Sequence, residues 1–256
     1  MDTGTAHIAR VYDYWLGGKD HFAADREAGD EAIEAFPGLI SSVRANRAFL
    51  ARTVSYLAGE AGIRQFLDIG TGIPSPDNTH EVAQSIAPDA RVAYVDNDPM
   101  VLAHARALLR GDPHGETAYI DADLRDTRKI LDEAAKVLDF SQPVAVMLVA
   151  VLHLIRDEDR PADIIRRLMA AVPAGSSLTI SHVPNDMHDG QMSAMSDRLN
   201  RLLSQPSTYR SRAEVTALFD GLKLVPPGVV PIQEWRSTPQ EAAAVAAMWG
   251  GVAFKR

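Results

Sequence analysis

From about Gln65 onward the chain alternates between short, almost unbroken apolar runs and longer stretches in which apolar residues return every three or four positions. The runs QFLDIG, RVAYVD, TAYIDA, PVAVMLVAV and SSLTISHV are rich in β-branched residues and have no polar face, the pattern of parallel strands covered on both sides. Between them the 3.6-residue period predicts helices near 78–87, 99–110, 127–138 and 158–171. Strand–helix alternation at this spacing predicts an α/β fold built on a doubly wound, mostly parallel sheet.

Local punctuation supports these boundaries. Asn78 with Glu81 forms a capping-box pattern, Asp98-Pro99 places an N-cap before a first-turn proline, and Gly111 closes the helix that follows. Ahead of the first run, Val43, Leu50, Val54 and Leu57 recur at helical spacing between Ser41 and Ala58. Residues 1–40 mix aromatics, charges and a Gly17-Gly18 break without a steady period, which predicts short helices forming an N-terminal cap on an α/β core of residues 41–256. Residues 185–210 interrupt the alternation with a Met-rich amphipathic insertion, and Ser211 with Glu214 opens a further helix. LKLV and VVPIQEWR then read as an antiparallel hairpin at the sheet edge. With no linker or repeat in view, one domain is expected.

Composition narrows the chemistry. The 26 Lys and Arg against 34 Asp and Glu give a formal charge of −8, with no basic stretch interleaved with aromatics, so nucleic acid is not expected as a partner. The absence of cysteine removes disulfides, thiolate zinc sites and cysteine nucleophiles. No pair among the eight histidines has metal-ligand spacing, so no metal is expected. The first residues carry no basic-then-apolar leader, and the run VAVMLVAVLHLI from Val144 is too short to span a bilayer. A cytoplasmic protein without membrane partners is the expectation.

The first strand ends in FLDIGTGIPSPDNTH. In an open α/β sheet ligands bind beyond the carboxyl ends of the strands, and Gly70 and Gly72 would let backbone amides approach one closely. A dinucleotide fits poorly. Pro74 and Pro76 delay the next helix, and Asp68 at about 5 Å from a phosphate would cost on the order of 3 kcal/mol at an effective dielectric near 20. S-adenosylmethionine, which has no phosphate and carries an ammonium and a sulfonium, reverses that sign. Asp96 at the end of the second strand stands where an acid takes ribose hydroxyls. Asp123 and Leu124 after the third strand suit an adenine edge and face.

The segments ARVYDYWLGGKDHFAADREA, FLDIGTGIPSPDNTHEVAQ and APDARVAYVDNDPMVLAHARALL resemble signatures of a family of S-adenosylmethionine-dependent methyltransferases from actinomycetes, long described only as a domain of unknown function. The resemblance runs from about Ala6 to the carboxyl terminus. It implies a Rossmann-like class I methyltransferase fold, with a seven-stranded sheet, an antiparallel last strand, and S-adenosyl-L-homocysteine as product. Carried over residue by residue, it implies cofactor contacts from Asp68, Gly70, Thr71, Gly72, Asp96, Asn97, Asp123 and Leu124. Pro74 departs from the general pattern, which has a third glycine there. The amino-terminal signature adds Tyr14, with Tyr12, Lys19 and Arg26 as residues that help close the site.

Methyl transfer is an in-line displacement, so alignment and desolvation suffice and a base is optional. His153 and His182, after the fourth and fifth strands, are the candidates for one. Met187, Met192 and Met195 offer adaptable surface for an acceptor, expected to be a small, partly apolar molecule. A non-catalytic S-adenosylmethionine-binding regulator and a nicotinamide oxidoreductase are the rival readings.

Overall fold

The computed structural model describes residues 3–108, 115–188, 190–203 and 205–256, with backbone alone for 104–108. The five predicted runs form β1 (Gln65–Ile69), β2 (Arg91–Asp96), β3 (Glu116–Asp121), β4 (Ala145–Val149) and β5 (Ser177–His182). All pair in parallel, in the order β3-β2-β1-β4-β5. Because side chains alternate across a strand, each continuous apolar run feeds two cores. Leu67, Ile69, Val146 and Leu148 pack with Ile130 and Leu168 on one face; Phe66, Tyr94, Ala145 and Met147 pack with Phe49, Val54 and Ala83 on the other.

The helices covering the first face are α6 (Thr127–Ala134) and α7 (Pro161–Ala170); α3 (Leu39–Ser55) and α4 (Thr79–Ile86) cover the second. The Asn78–Glu81 pairing is present, with the Asn78 amide donating to Glu81 Oε2 at 2.8 Å. Asp98 caps α5 (Pro99–Leu108), its Oδ1 accepting from the Met100 amide at 2.8 Å. The stop at Gly111 lies outside the described residues.

The far edge differs from the sequence expectation. LKLV and VVPIQEWR do not pair with each other. They contribute only β6 (Lys223–Leu224) and β7 (Val230–Pro231), each antiparallel to β8 (Trp249–Phe254), which lies against β5. The path β3-β2-β1-β4-β5-β8-β6 is seven strands across, with β7 as an eighth piece on β8. Gly250 explains why β8 escapes a search for β-branched runs: a Cβ there would stand 2.6 Å from Ile232 Cγ2 and 2.9 Å from the Phe49 ring.

The first forty residues fold as α1 (Ile8–Leu16) and α2 (Ala23–Ala35), which share a third apolar cluster with α8 (Gln191–Leu202). Val11 and Trp15 of α1 and Ala28 and Ala32 of α2 meet Met192, Met195 and Leu199 there. A buried ion pair pins the two cap helices: Arg10 Nε donates to both Asp25 oxygens at 3.1 and 2.9 Å. Asp25 also accepts from the His7 and Phe22 amides, so this buried charge is well satisfied.

Candidate functional site

Strand order reverses between β1 and β4, and a cavity opens beyond the carboxyl ends of β1 to β4, roofed by α1 and walled by the middle of α3. Its space is about 1130 Å³, part of it open to solvent. Asp68, Gly70, Thr71 and Gly72 line it from the β1 turn, Asp96 and Asn97 from β2, and Asp123 and Leu124 from the segment after β3.

The turn is shaped by its glycines. Gly70 has φ +76°, and a Cβ on it would lie 2.3 Å from Val151 Cγ2, so a side chain is excluded by both backbone and space. Gly72, at φ +68°, donates its amide to Asp96 Oδ2 at 2.9 Å while the Asp98 amide donates to Oδ1 at 2.9 Å. Where the general pattern has a third glycine, Pro74 leads into a loop tied from α3: Arg47 Nη2 donates to the Pro76 and Asp77 carbonyls at 2.9 and 2.8 Å. The helix α4 therefore starts only at Thr79.

Asp68 is 4% exposed, and the Thr79 hydroxyl donates to its Oδ2 at 2.6 Å. Burial raises its carboxyl to about 6, against the smaller lowering by Thr79 and by the charge of Arg47. Burial also raises Asp96 above the usual carboxylate range. Asp123 is engaged differently. Its oxygens accept from the Arg125 amide at 2.8 Å and from Arg125 Nη1 at 3.1 and 2.9 Å, while Asn97 Nδ2 donates at 3.3 Å.

Three predicted residues are not brought to the cavity. Tyr14 lies on the other side of α1, donating its hydroxyl to Asp30 at 2.6 Å, and the tyrosine lining the cavity is Tyr12. His182 is fully buried, its Nδ1 donating to the Val183 carbonyl at 2.8 Å and its Nε2 accepting from Arg210 Nη1 at 2.9 Å. With both nitrogens used it has no lone pair for a substrate proton. Burial, then the neighbouring His153 and Arg210, lower it to about 3. His153 is 7% exposed, and burial with the Arg210 charge lowers it to about 4. The histidine that does line the cavity is His7, its Nδ1 2.9 Å from Asp98 Oδ2.

Other predicted closures differ too. Lys19 and Arg26 do not line the cavity, and Met192 and Met195 are spent joining α8 to the cap. Among the described residues of the inserted segment, only Gln205 reaches the lining. Asn46 and Arg47 are the residues sequence reasoning missed. They sit inside the regular amphipathic pattern of α3, where the clue was a buried-face asparagine among apolar neighbours. Among the described residues no cluster of acids and histidines is arranged to hold a metal, and no helix is long and apolar enough to cross a membrane.

The acids and the glycine turn at a reversal of strand order, with an antiparallel strand between β5 and β6, define a class I S-adenosylmethionine-dependent methyltransferase. The chain belongs to the S-adenosyl methyltransferase family, which it matches over residues 1–256. Two solved structures resemble it along its whole length. A DUF574 family protein from Streptomyces avermitilis is 44% identical with a TM-score of 0.96, covering 100% of this chain and 99% of that one. A putative methyltransferase from Thermobifida fusca is 39% identical with a TM-score of 0.90, covering 100% and 97%. The fold extends to an S-adenosylmethionine-dependent methyltransferase from Anabaena variabilis, 12% identical with a TM-score of 0.55 over 100% and 98% of the chains. No match is found among curated proteins. The regulatory reading finds no support among these relatives.

Proposed function

We propose that the protein transfers the methyl group of S-adenosylmethionine to a small, partly apolar acceptor held beneath the cap. The observation that carries this reading is the convergence of the three strand-end acids on one cavity with a glycine turn that leaves its backbone open to a ligand. The cavity fits the cofactor chemically. Asp68 is a buried carboxylate whose ionised form is disfavoured by desolvation, and a ligand ammonium beside it removes that penalty. In this reading Asp96 takes the ribose hydroxyls, and Asn97, Asp123 and Leu124 take the adenine.

When bound, the cofactor supplies a methyl carbon already activated by its sulfonium. The chain's own residues then bind, orient and exclude water, which in favourable cases contributes about 7–11 kcal/mol through orientation alone. Ile8, Leu16 and Leu50 add apolar wall to the roof side, in keeping with a partly apolar acceptor. The net charge of −8 argues against a nucleic-acid acceptor.

Two measurements test the proposal. Asp96→Ala is expected to weaken S-adenosylhomocysteine binding by about 1.5–3 kcal/mol, the range for hydrogen bonds to a charged group; a folded variant with unchanged calorimetric affinity refutes the ribose assignment. Incubation of the protein with methyl-labelled cofactor and a fractionated actinomycete extract should place label in the small-molecule fraction. Label confined to protein or RNA overturns the acceptor class.

A further inference from the structure

Four groups from four elements form a hydrogen-bonded chain that ends at the cavity. The Ala150 amide, just beyond β4, is shared between Ser181 Oγ at 2.9 Å and the Ser181 carbonyl at 3.1 Å. Ser181 Oγ donates to Asn46 Oδ1 at 2.7 Å, and Asn46 Nδ2 donates to Tyr12 Oη at 3.0 Å. Ser181 is fully buried and Asn46 is 2% exposed. Ala150, Asn46 and Tyr12 all line the cavity.

The direction of this chain is set by the buried Ser181 proton. The Ala150 N–H can only donate and is shared between Ser181 Oγ and the Ser181 carbonyl, so it takes no proton from Ser181, and that proton goes to Asn46 Oδ1. That sets the amide of Asn46, whose nitrogen faces the phenol. The opposite orientation would leave the Ser181 proton buried without an acceptor, a cost that buried hydroxyls avoid. Tyr12 Oη is therefore an acceptor within the protein, and its proton has no acceptor among the described residues. Burial holds the phenol above its ordinary value, so the proton is retained at neutral pH. Ala150 keeps the left-handed φ of +53° at the start of the chain, a conformation that costs a residue with a Cβ and is retained where surroundings demand it.

Tyr12 and Asp68 both feel the charge of Arg47, and all three line the cavity. A buried acid, a guanidinium and an obligate phenol donor lining one cavity complement an α-amino-acid zwitterion, which is the end of the cofactor opposite its adenine. Resting on the cofactor reading above, we infer that Tyr12 donates its hydroxyl proton to the amino-acid carboxylate of the bound cofactor, with Asn46 and Ser181 as positioning residues that aim it.

Calorimetry on the full chain tests this with two probes, S-adenosylhomocysteine and 5′-methylthioadenosine, the second lacking the amino-acid end. Tyr12→Phe is expected to bind S-adenosylhomocysteine roughly tenfold more weakly and 5′-methylthioadenosine unchanged. Ser181→Ala, which frees Asn46 to turn over, is expected to weaken S-adenosylhomocysteine about threefold and again to spare the shorter probe. Unchanged S-adenosylhomocysteine affinity in folded Tyr12→Phe overturns the inference, and so does an equal loss for both probes. Wild-type protein that binds neither probe would instead sink the cofactor reading.

Discussion

Asp68 shows how a single residue joins fold and ligand. It occupies a strand position with apolar neighbours on either side, yet it is an acid, and its side-chain partner among the described residues is Thr79. Desolvation leaves it half protonated near pH 6 in the unliganded protein. A cationic ligand that binds the ionised form must therefore displace a proton below that pH. Affinity for S-adenosylhomocysteine is expected to fall about tenfold per unit as pH drops below 6 and to level off above 7. Asp68→Asn should bind weakly with a flat profile over the same range, and a wild-type profile without slope would detach Asp68 from the ligand. The acids were legible in the sequence because strand ends are legible. Tyr12 was not, because choosing between Tyr12 and Tyr14 requires the phase of α1, which is set by Val11 and Trp15 burying toward α2 and α8.

At the scale of elements, the parallel strands were readable because burial on both faces writes an unbroken apolar run. The antiparallel edge was not. β6 and β7 are two residues each, and β8 carries Gly250 where Phe49 and Ile232 press against it. The methionines of α8 show the same limit, since an amphipathic stripe does not say which neighbour it meets. They meet α1 and α2, in a cluster separate from the two sheet cores. Because that cluster holds the roof of the cavity, Leu199→Ala is expected to destabilise by about 2–4 kcal/mol. The loss should be local: hydrogen exchange in α1 and α2 should quicken while β1 and β4 stay protected. Equal deprotection of cap and sheet would show that the two open as one unit.

For the whole molecule, the buried histidines and the buried acid act on stability with opposite signs. His153 and His182 are neutral in the fold down to about pH 4 and 3, whereas unfolded imidazoles titrate near 6.5. As pH falls from about 6.5 toward 4, the unfolded chain takes up protons that the fold refuses, so these two residues remove stability on acidification, each by about 1.4 kcal/mol per unit. Asp68, raised to about 6, takes a proton in the fold before it would in the unfolded chain, and so returns stability as pH falls from about 6 toward 4. Asp96 is shifted in the same direction as Asp68 and reinforces that return. The two histidines, with buried His80 lowered in the same direction by desolvation, outweigh the acids at pH 5.5, and urea denaturation should give a stability about 1–2 kcal/mol lower there than at pH 7.5. His153→Gln, which removes one of the two imidazoles, should shrink that difference. Saturating S-adenosylhomocysteine should enlarge it, because an Asp68 paired with the ligand no longer takes up the offsetting proton. A stability that is level between the two pH values would mean that these imidazoles take up protons in the fold as readily as in the unfolded chain.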